Sequence, residues 1–144
     1  MQKWDNARLI EAALRAQEGA YAPHSGFRVG AALLTTSGKV ILGANVESTS
    51  YGLSCCAERV ALFKALTDGE REFSAVAVVG EIDHGPTPCG ACRQLLLEHA
   101  SQATLWTADS RNPERQRQFT ISDLLPAAYL RKSGGHRRHD PELE

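Results

Sequence analysis

Phe73-Ser74-Ala75-Val76-Ala77-Val78-Val79 is a nearly unbroken apolar run, and the rest of the chain arranges itself around it. A run without polar alternation suits an inner strand covered on both faces. Downstream, a polar loop ending in Pro86-Thr87-Pro88 leads into a helical pattern over Ala91 to His99, and Ala103 to Trp106 reads as a further strand. Strand, helix, strand predicts a crossover between parallel neighbours. Upstream, Arg28 to Thr36 and Val40 to Glu47 are β-rich runs separated by Thr36-Ser37-Gly38-Lys39, which predicts an antiparallel hairpin. A helix capped by Asp5 or Asn6 and running to about Glu18 precedes the hairpin. A second helix, from Cys56 to Leu66 and closed by Asp68-Gly69, follows it. Further on, Asp109 to Arg117 reads as a charged turn, Gln118 to Ile121 as a short last strand, and Ser122-Asp123 as the cap of a helical turn ending near Tyr129. Residues 1–131 form the expected domain, and 132–144, with Gly134-Gly135 and His136-Arg137-Arg138-His139, read as a flexible solvated tail.

With 144 residues, 42% of them hydrophobic, the chain can bury a core of ordinary size without disulfide staples. The balance of 16 basic against 17 acidic side chains argues against a protein that grips long stretches of phosphate and favours a small uncharged ligand. No segment approaches the roughly 20 apolar residues that span a bilayer, and Met1 to Asp5 lacks the apolar run of a signal peptide. The expectation is a cytoplasmic protein with neither a membrane nor a nucleic-acid partner. There, Cys55, Cys56, Cys89 and Cys92 are expected as thiols or metal ligands rather than disulfides.

The chemistry concentrates in Cys56-Ala57-Glu58 and Pro88-Cys89-Gly90-Ala91-Cys92. Each cysteine group stands where a loop enters a helix, so its thiolates face a positive helix end and free backbone N–H groups. Two cysteines separated by two residues chelate one tetrahedral zinc, Cys56 supplies a third sulfur, and one position stays open, as in a catalytic site. Glu58, two residues past Cys56, is placed to exchange protons beside that position without ligating. A thioredoxin-like redox pair at Cys89 and Cys92 leaves Cys56 and Glu58 unexplained. A structural four-cysteine site would need Cys55, but adjacent residues point apart, and Cys55 reads as a small buried hydrophobe.

Cys-x-Glu followed by Pro-Cys-x-x-Cys is the pattern of zinc-dependent nucleobase deaminases. Together with Tyr21-Ala22-Pro23, Val29-Gly30-Ala31-Ala32-Leu33, Asn45-Val46-Glu47, Ser50-Tyr51-Gly52 and Leu124-Leu125-Pro126, the chain to about Leu130 resembles the small homotetrameric cytidine deaminase family. The resemblance implies an α/β fold of three α/β/α layers around a mixed five-stranded sheet. It implies one zinc per subunit on Cys56, Cys89 and Cys92, with hydrolysis of cytidine and 2'-deoxycytidine to uridine and 2'-deoxyuridine in pyrimidine salvage. Glu58 would carry protons from a zinc-activated water to N3 and to the leaving amine.

For the substrate, the resemblance implies Phe27 beside the base, Ala57 N–H on the pyrimidine O2, Asn45 and Glu47 on the ribose, and Tyr129 reaching in from a neighbouring subunit. Asn45 and Glu47 are expected at alternating positions of the second strand, and so on one face. Three thiolates and Zn(II) sum to a charge of -1, which Arg59 and Arg93 are expected to offset by donating to the sulfurs. His24, Ser48 and Thr49 depart from the family's usual residues at the pocket edge. The alternatives are a deaminase of another aminated nucleoside, such as a modified cytidine or a nucleoside antibiotic, and a non-catalytic zinc-stabilised domain. Glu58 speaks against the latter, since a structural site needs no carboxylate beside an open metal position.

Overall fold

The computed structural model describes residues 4–130, and the expected tail at 132–144 lies outside the described residues. In chain order the elements are α1 (Asn6–Gln17), β1 (Val29–Thr35), β2 (Val40–Ala44), α2 (Ala57–Thr67), β3 (Phe73–Gly80), α3 (Gly90–Ala100), β4 (Thr104–Asp109) and β5 (Asn112–Thr120), with 3-10 turns at Tyr51–Leu53 and Ile121–Leu124. The strands form one mixed sheet in the order β2-β1-β3-β4-β5. β1 runs antiparallel to both β2 and β3, β3 and β4 are parallel, and β5 returns antiparallel on β4. The parallel pair is the one joined through α3, since parallel neighbours need a long crossover.

β1 and β3 occupy inner positions, which is why both sequences are apolar at nearly every position. One face of the sheet packs on α1, through Leu9, Ile10, Ala12 and Ala13 against Ala32, Ala75, Ala77 and Val79. The other packs on α2 and α3, through Ala61, Leu62, Leu96 and Leu97 against Ala31, Leu33, Val76 and Val78. The expected three layers are therefore present. No helix among the described residues is long and apolar enough to cross a membrane.

Three local expectations are corrected. β2 ends at Ala44 rather than Glu47, and beyond it two isolated bridges at Val46 link the chain to Tyr21 and to Cys55. The charged stretch expected as a turn is most of β5: Asp109 pairs with Asn112, Ser110 and Arg111 make the turn, and pairing with β4 continues to Thr120. β5 is an edge strand with a largely exposed pattern, so Arg115 and Arg117 stay solvated while β4 supplies the ladder. The helical turn after Ser122-Asp123 closes at Leu124, and Tyr129 lies beyond it.

Two loops bring the chemistry to one end of the sheet. After β3, His84 and Gly85 both take positive φ, and a Cβ on Gly85 would lie 2.3 Å from Ala108 N. Only glycine allows that approach at no steric cost. Thr107 Oγ1 donates to His84 O at 2.7 Å, so the loop is pinned on β4 before it delivers Cys89 to α3. After β2, the loop through Val46 and Cys55 delivers Cys56 to α2.

Candidate active site

Cys56 and Cys89 are the N-cap residues of α2 and α3, in extended conformation, and neither side chain caps its own helix. Both sulfurs are left free while the first-turn N–H groups of two helices point toward them. Cys92, in the first turn of α3, is fully buried. Cys89 Sγ lies 3.8 Å from Cys56 Sγ and 3.4 Å from Cys92 Sγ, and the three sulfurs lie within 4.8 Å of one another. Tetrahedral zinc with bonds of about 2.3 Å to sulfur puts ligand sulfurs about 3.8 Å apart, so the trio fits that ion with small adjustment. Among the described residues this is the one group of three or more ligating side chains that could hold a metal ion.

The fit depends on Gly43. A Cβ there would lie 2.5 Å from Ala57 O and 2.5 Å from Ala61 N, so the missing side chain lets the first turn of α2 rest on β2. Gly43→Ala is expected to push that turn outward, costing about 1–3 kcal/mol of stability and weakening metal retention. Thermal unfolding and zinc content of the purified variant check both effects.

Burial and the sulfur cluster set the electrostatics. The Cys56 thiol is lowered to about 5, chiefly by the hydrogen bond from Cys92, with burial opposing and Cys89 and Arg59 adding to the effect. Cys92 moves the opposite way because the same proton is held between them. The cluster thus favours the thiolate at Cys56 over that at Cys92. Arg59 donates from Nη2 to Ser54 O at 2.9 Å and approaches Cys56 Sγ at 3.9 Å, and its buried Nε has no partner among the described residues. Glu58 is 6% exposed, and burial pushes its carboxyl up to about 7, with the Cys56 charge adding to the rise.

Residues 24–27 and 45–47 meet at the other end of the site. Asn45 Oδ1 accepts from Val29 N, and Asn45 Nδ2 donates to Phe27 O, both at 2.9 Å. Glu47 Oε1 accepts from His24 N at 2.9 Å and Ser25 N at 3.1 Å, while Oε2 meets Ser25 Oγ at 2.5 Å. The Ser25 hydroxyl, then the Ser25 and His24 N–H groups, hold Glu47 below its usual carboxylate range, against some desolvation. Asn45 and Glu47 lie beyond the end of β2, so the expected shared strand face does not form; each side chain instead bonds the segment leading into β1. A cleft of about 290 Å³, lined by His24, Ser25, Glu47, Tyr51 and Ser54, opens there. Ser54 is also the residue that Arg59 grips, two positions before Cys56.

The remaining site expectations distribute unevenly. Phe27 is half-buried, with its ring near Gly80. Ala57 is buried at the start of α2. Arg93 differs from expectation: it donates to Pro88 O at 2.7 Å and Leu124 O at 2.9 Å, tying the loop before Cys89 to the C-terminal segment rather than reaching a sulfur. Tyr129 is 77% exposed, with its carbonyl held by Gln94. His24 packs edge-on to Tyr51, and Ser48 holds its loop through Ser54 and Ser50. Cys55, expected as buried, is half-exposed because it bridges to Val46 at the surface. The sequence marks Ser25 and Ser54 only weakly. The only trace of Ser25 in the sequence is a hydroxyl two residues before an aromatic residue in a Pro- and Gly-containing loop, the pattern of a side-chain-capped turn.

Residues 3–108 match the family described as the cytidine and deoxycytidylate deaminase zinc-binding region. The chain is 48% identical over 125 residues to the cytidine deaminase of Halalkalibacterium halodurans, covering 87% of this chain and 94% of that protein. It is 43% identical over 119 residues to that of Mycobacterium tuberculosis, covering 81% and 84%. The crystal structure of the cytidine deaminase of Burkholderia pseudomallei superimposes with a TM-score of 0.84 at 49% identity, covering 88% of this chain and all of that one.

Proposed function

The chain belongs to the cytidine and deoxycytidylate deaminase zinc-binding family, and from that premise we propose that it hydrolyses cytidine and 2'-deoxycytidine to uridine and 2'-deoxyuridine, releasing ammonia. The observation that carries the reading is the pairing of a three-thiol cluster of zinc geometry with a buried carboxylate in the first turn of the same helix that begins at Cys56. Cys56, Cys89 and Cys92 hold the zinc. When bound, zinc supplies the Lewis acidity that brings the pKa of water toward neutrality.

Glu58 does the proton work. Cytosine C4 is a poor electrophile until N3 is protonated, and the 4-amino group leaves only as ammonia, so one group must accept a proton from water and then give protons to N3 and to the amine. Before zinc binds, burial already raises the Glu58 carboxyl toward neutrality, the range in which one group can both accept and donate a proton. Water oxygen adds to C4 and the C4–N bond then breaks; of the two protons of water, one ends on N3 and the other leaves in ammonia. Arg59 offsets the charge of the thiolates through Cys56. Ala57 N–H, unpaired within its helix, is available to the pyrimidine O2. Phe27 flanks the base, and Glu47 with Asn45 receives the sugar. Arg93 supports the metal loop through Pro88.

Tyr129, Tyr51 and Leu53 are all more than 70% exposed, and so large a set of solvated apolar side chains fits burial by further copies of the chain. The proposed assembly is a homotetramer in which Tyr129 completes a neighbour's site, acting in cytoplasmic pyrimidine salvage. The test is absorbance decay on both nucleosides with ammonia measured in parallel. Turnover with matching ammonia supports the reading; none from zinc-loaded protein moves the substrate to another aminated nucleoside. Sedimentation finding active monomer alone removes the role given to Tyr129.

A further inference from the structure

Ser25 stands between Glu47 and Phe27, two residues assigned above to the substrate. Its Oγ accepts from Phe27 N at 2.9 Å and lies 2.5 Å from Glu47 Oε2. A serine hydroxyl carries one proton, and an ionised carboxylate only accepts. With Phe27 N–H already pointed at Oγ, that proton goes to Glu47. The other carboxylate oxygen is taken by His24 N and Ser25 N. A carboxylate offers about four acceptor positions, so three are filled from one short loop and one remains, on the oxygen that Ser25 orients. Phe27 is separately held by Asn45 through its carbonyl, and so does not depend on Ser25 alone.

We propose that Ser25 is a positioning residue for sugar recognition: its hydroxyl fixes the rotamer of Glu47, so that the last acceptor position of the carboxylate faces the sugar 3'-hydroxyl at a set distance from the base. It touches no reacting atom and acts through Glu47. The proposal rests on the assignment of Glu47 to the sugar. With Ser25 Oγ gone, only the two N–H bonds on Oε1 restrain the carboxylate, so its plane tilts about that oxygen and the direction of Oε2 is less defined, which weakens a sugar contact made through Oε2.

The test compares wild type, Ser25→Ala, Ser25→Thr and Glu47→Gln on 2'-deoxycytidine and on 2',3'-dideoxycytidine, which lacks the 3'-hydroxyl. Loss of a hydrogen bond to a charged group predicts that Ser25→Ala raises KM for 2'-deoxycytidine about tenfold. Its kcat stays within about twofold, as for removal of binding common to ground and transition states. KM for the dideoxy substrate stays near the wild-type value, and Ser25→Thr, which keeps the hydroxyl at an exposed position, restores the wild-type ratio between substrates. A merely structural role would change both substrates alike. Equal losses on both, or an unchanged ratio in Ser25→Ala while Glu47→Gln alters it, overturns the role of Ser25 and leaves that of Glu47 standing. An unchanged ratio in Glu47→Gln overturns the sugar assignment and this inference with it.

Discussion

Glu58→Gln retains zinc and loses turnover, with kcat on cytidine expected to fall by about four orders of magnitude, the upper range for removing a general acid–base group. The size follows from economy: in the proposed mechanism one carboxylate serves water, N3 and the leaving amine, and no other carboxylate stands in the metal-binding group to replace it. Gln keeps the volume and the hydrogen-bonding carbonyl but moves no protons. The comparison is made at matched zinc content, and a variant with even a tenth of wild-type kcat would sink the role.

The same substitution has an opposite effect on stability in metal-stripped protein. Burial raises the folded-state pKa of Glu58 to about 7 from a reference of 4.5. A raised folded-state pKa contributes stability that is complete below about pH 4.5 and lost as pH rises through about 7, amounting to roughly 3 kcal/mol. Above pH 7 the parent carries an ionised buried carboxylate that the neutral amide lacks. Metal-free Glu58→Gln should therefore melt higher than metal-free parent at pH 8 and nearly level with it at pH 4.5. Calorimetry in the presence of a chelator reads this, and a lower melting temperature at pH 8 contradicts it.

Cys92→Ser is expected to abolish metal binding and turnover together. Cys92 is the most buried of the three sulfurs and lies 3.4 Å from Cys89 Sγ, so replacing its thiolate with a poor ligand opens the side of the trio that solvent cannot refill. Zinc per chain, measured by metal analysis after dialysis, should drop from near one to near zero. A ligand present at about a thousand times its dissociation constant stabilises the folded form by about 4 kcal/mol. Chelation should accordingly lower the melting temperature of wild type and leave that of Cys92→Ser unmoved. A variant that keeps one zinc per chain shows that the metal sits elsewhere.

Much of this was legible because it is locally encoded. The apolar run of β3, the turn at 36–39, the N-cap positions of Cys56 and Cys89 and the nearness of Cys89 to Cys92 all follow from interactions within a few residues. Glu58 was readable for the same reason, since its place in the first turn of α2 follows from its spacing from Cys56.

What escaped was set by partners distant in the chain. β5 has no apolar alternation because it is an edge strand, and its pairing comes from β4. Arg93 and Arg59 are both arginines beside ligand segments, yet one grips Pro88 and Leu124 while the other reaches the Cys56 sulfur, a choice made by where the C-terminal segment and the loop before α2 pass. Glu47 was expected on a strand and is instead clasped by His24 and Ser25, because β2 stops at Ala44 and the chain leaves the ladder for the loop before β1. By itself, then, the sequence determined the inner strands, the helix starts, the Cys89 and Cys92 pair and the place of Glu58 two residues after Cys56, which depend on short-range geometry, whereas the sheet brings Cys56 to Cys89 from 33 residues away. Only the tertiary structure decided the edge strand, the pairing of the arginines and the anchoring of the Glu47 carboxylate, because hydrogen-bonding groups take whichever partner packing brings within about 3 Å.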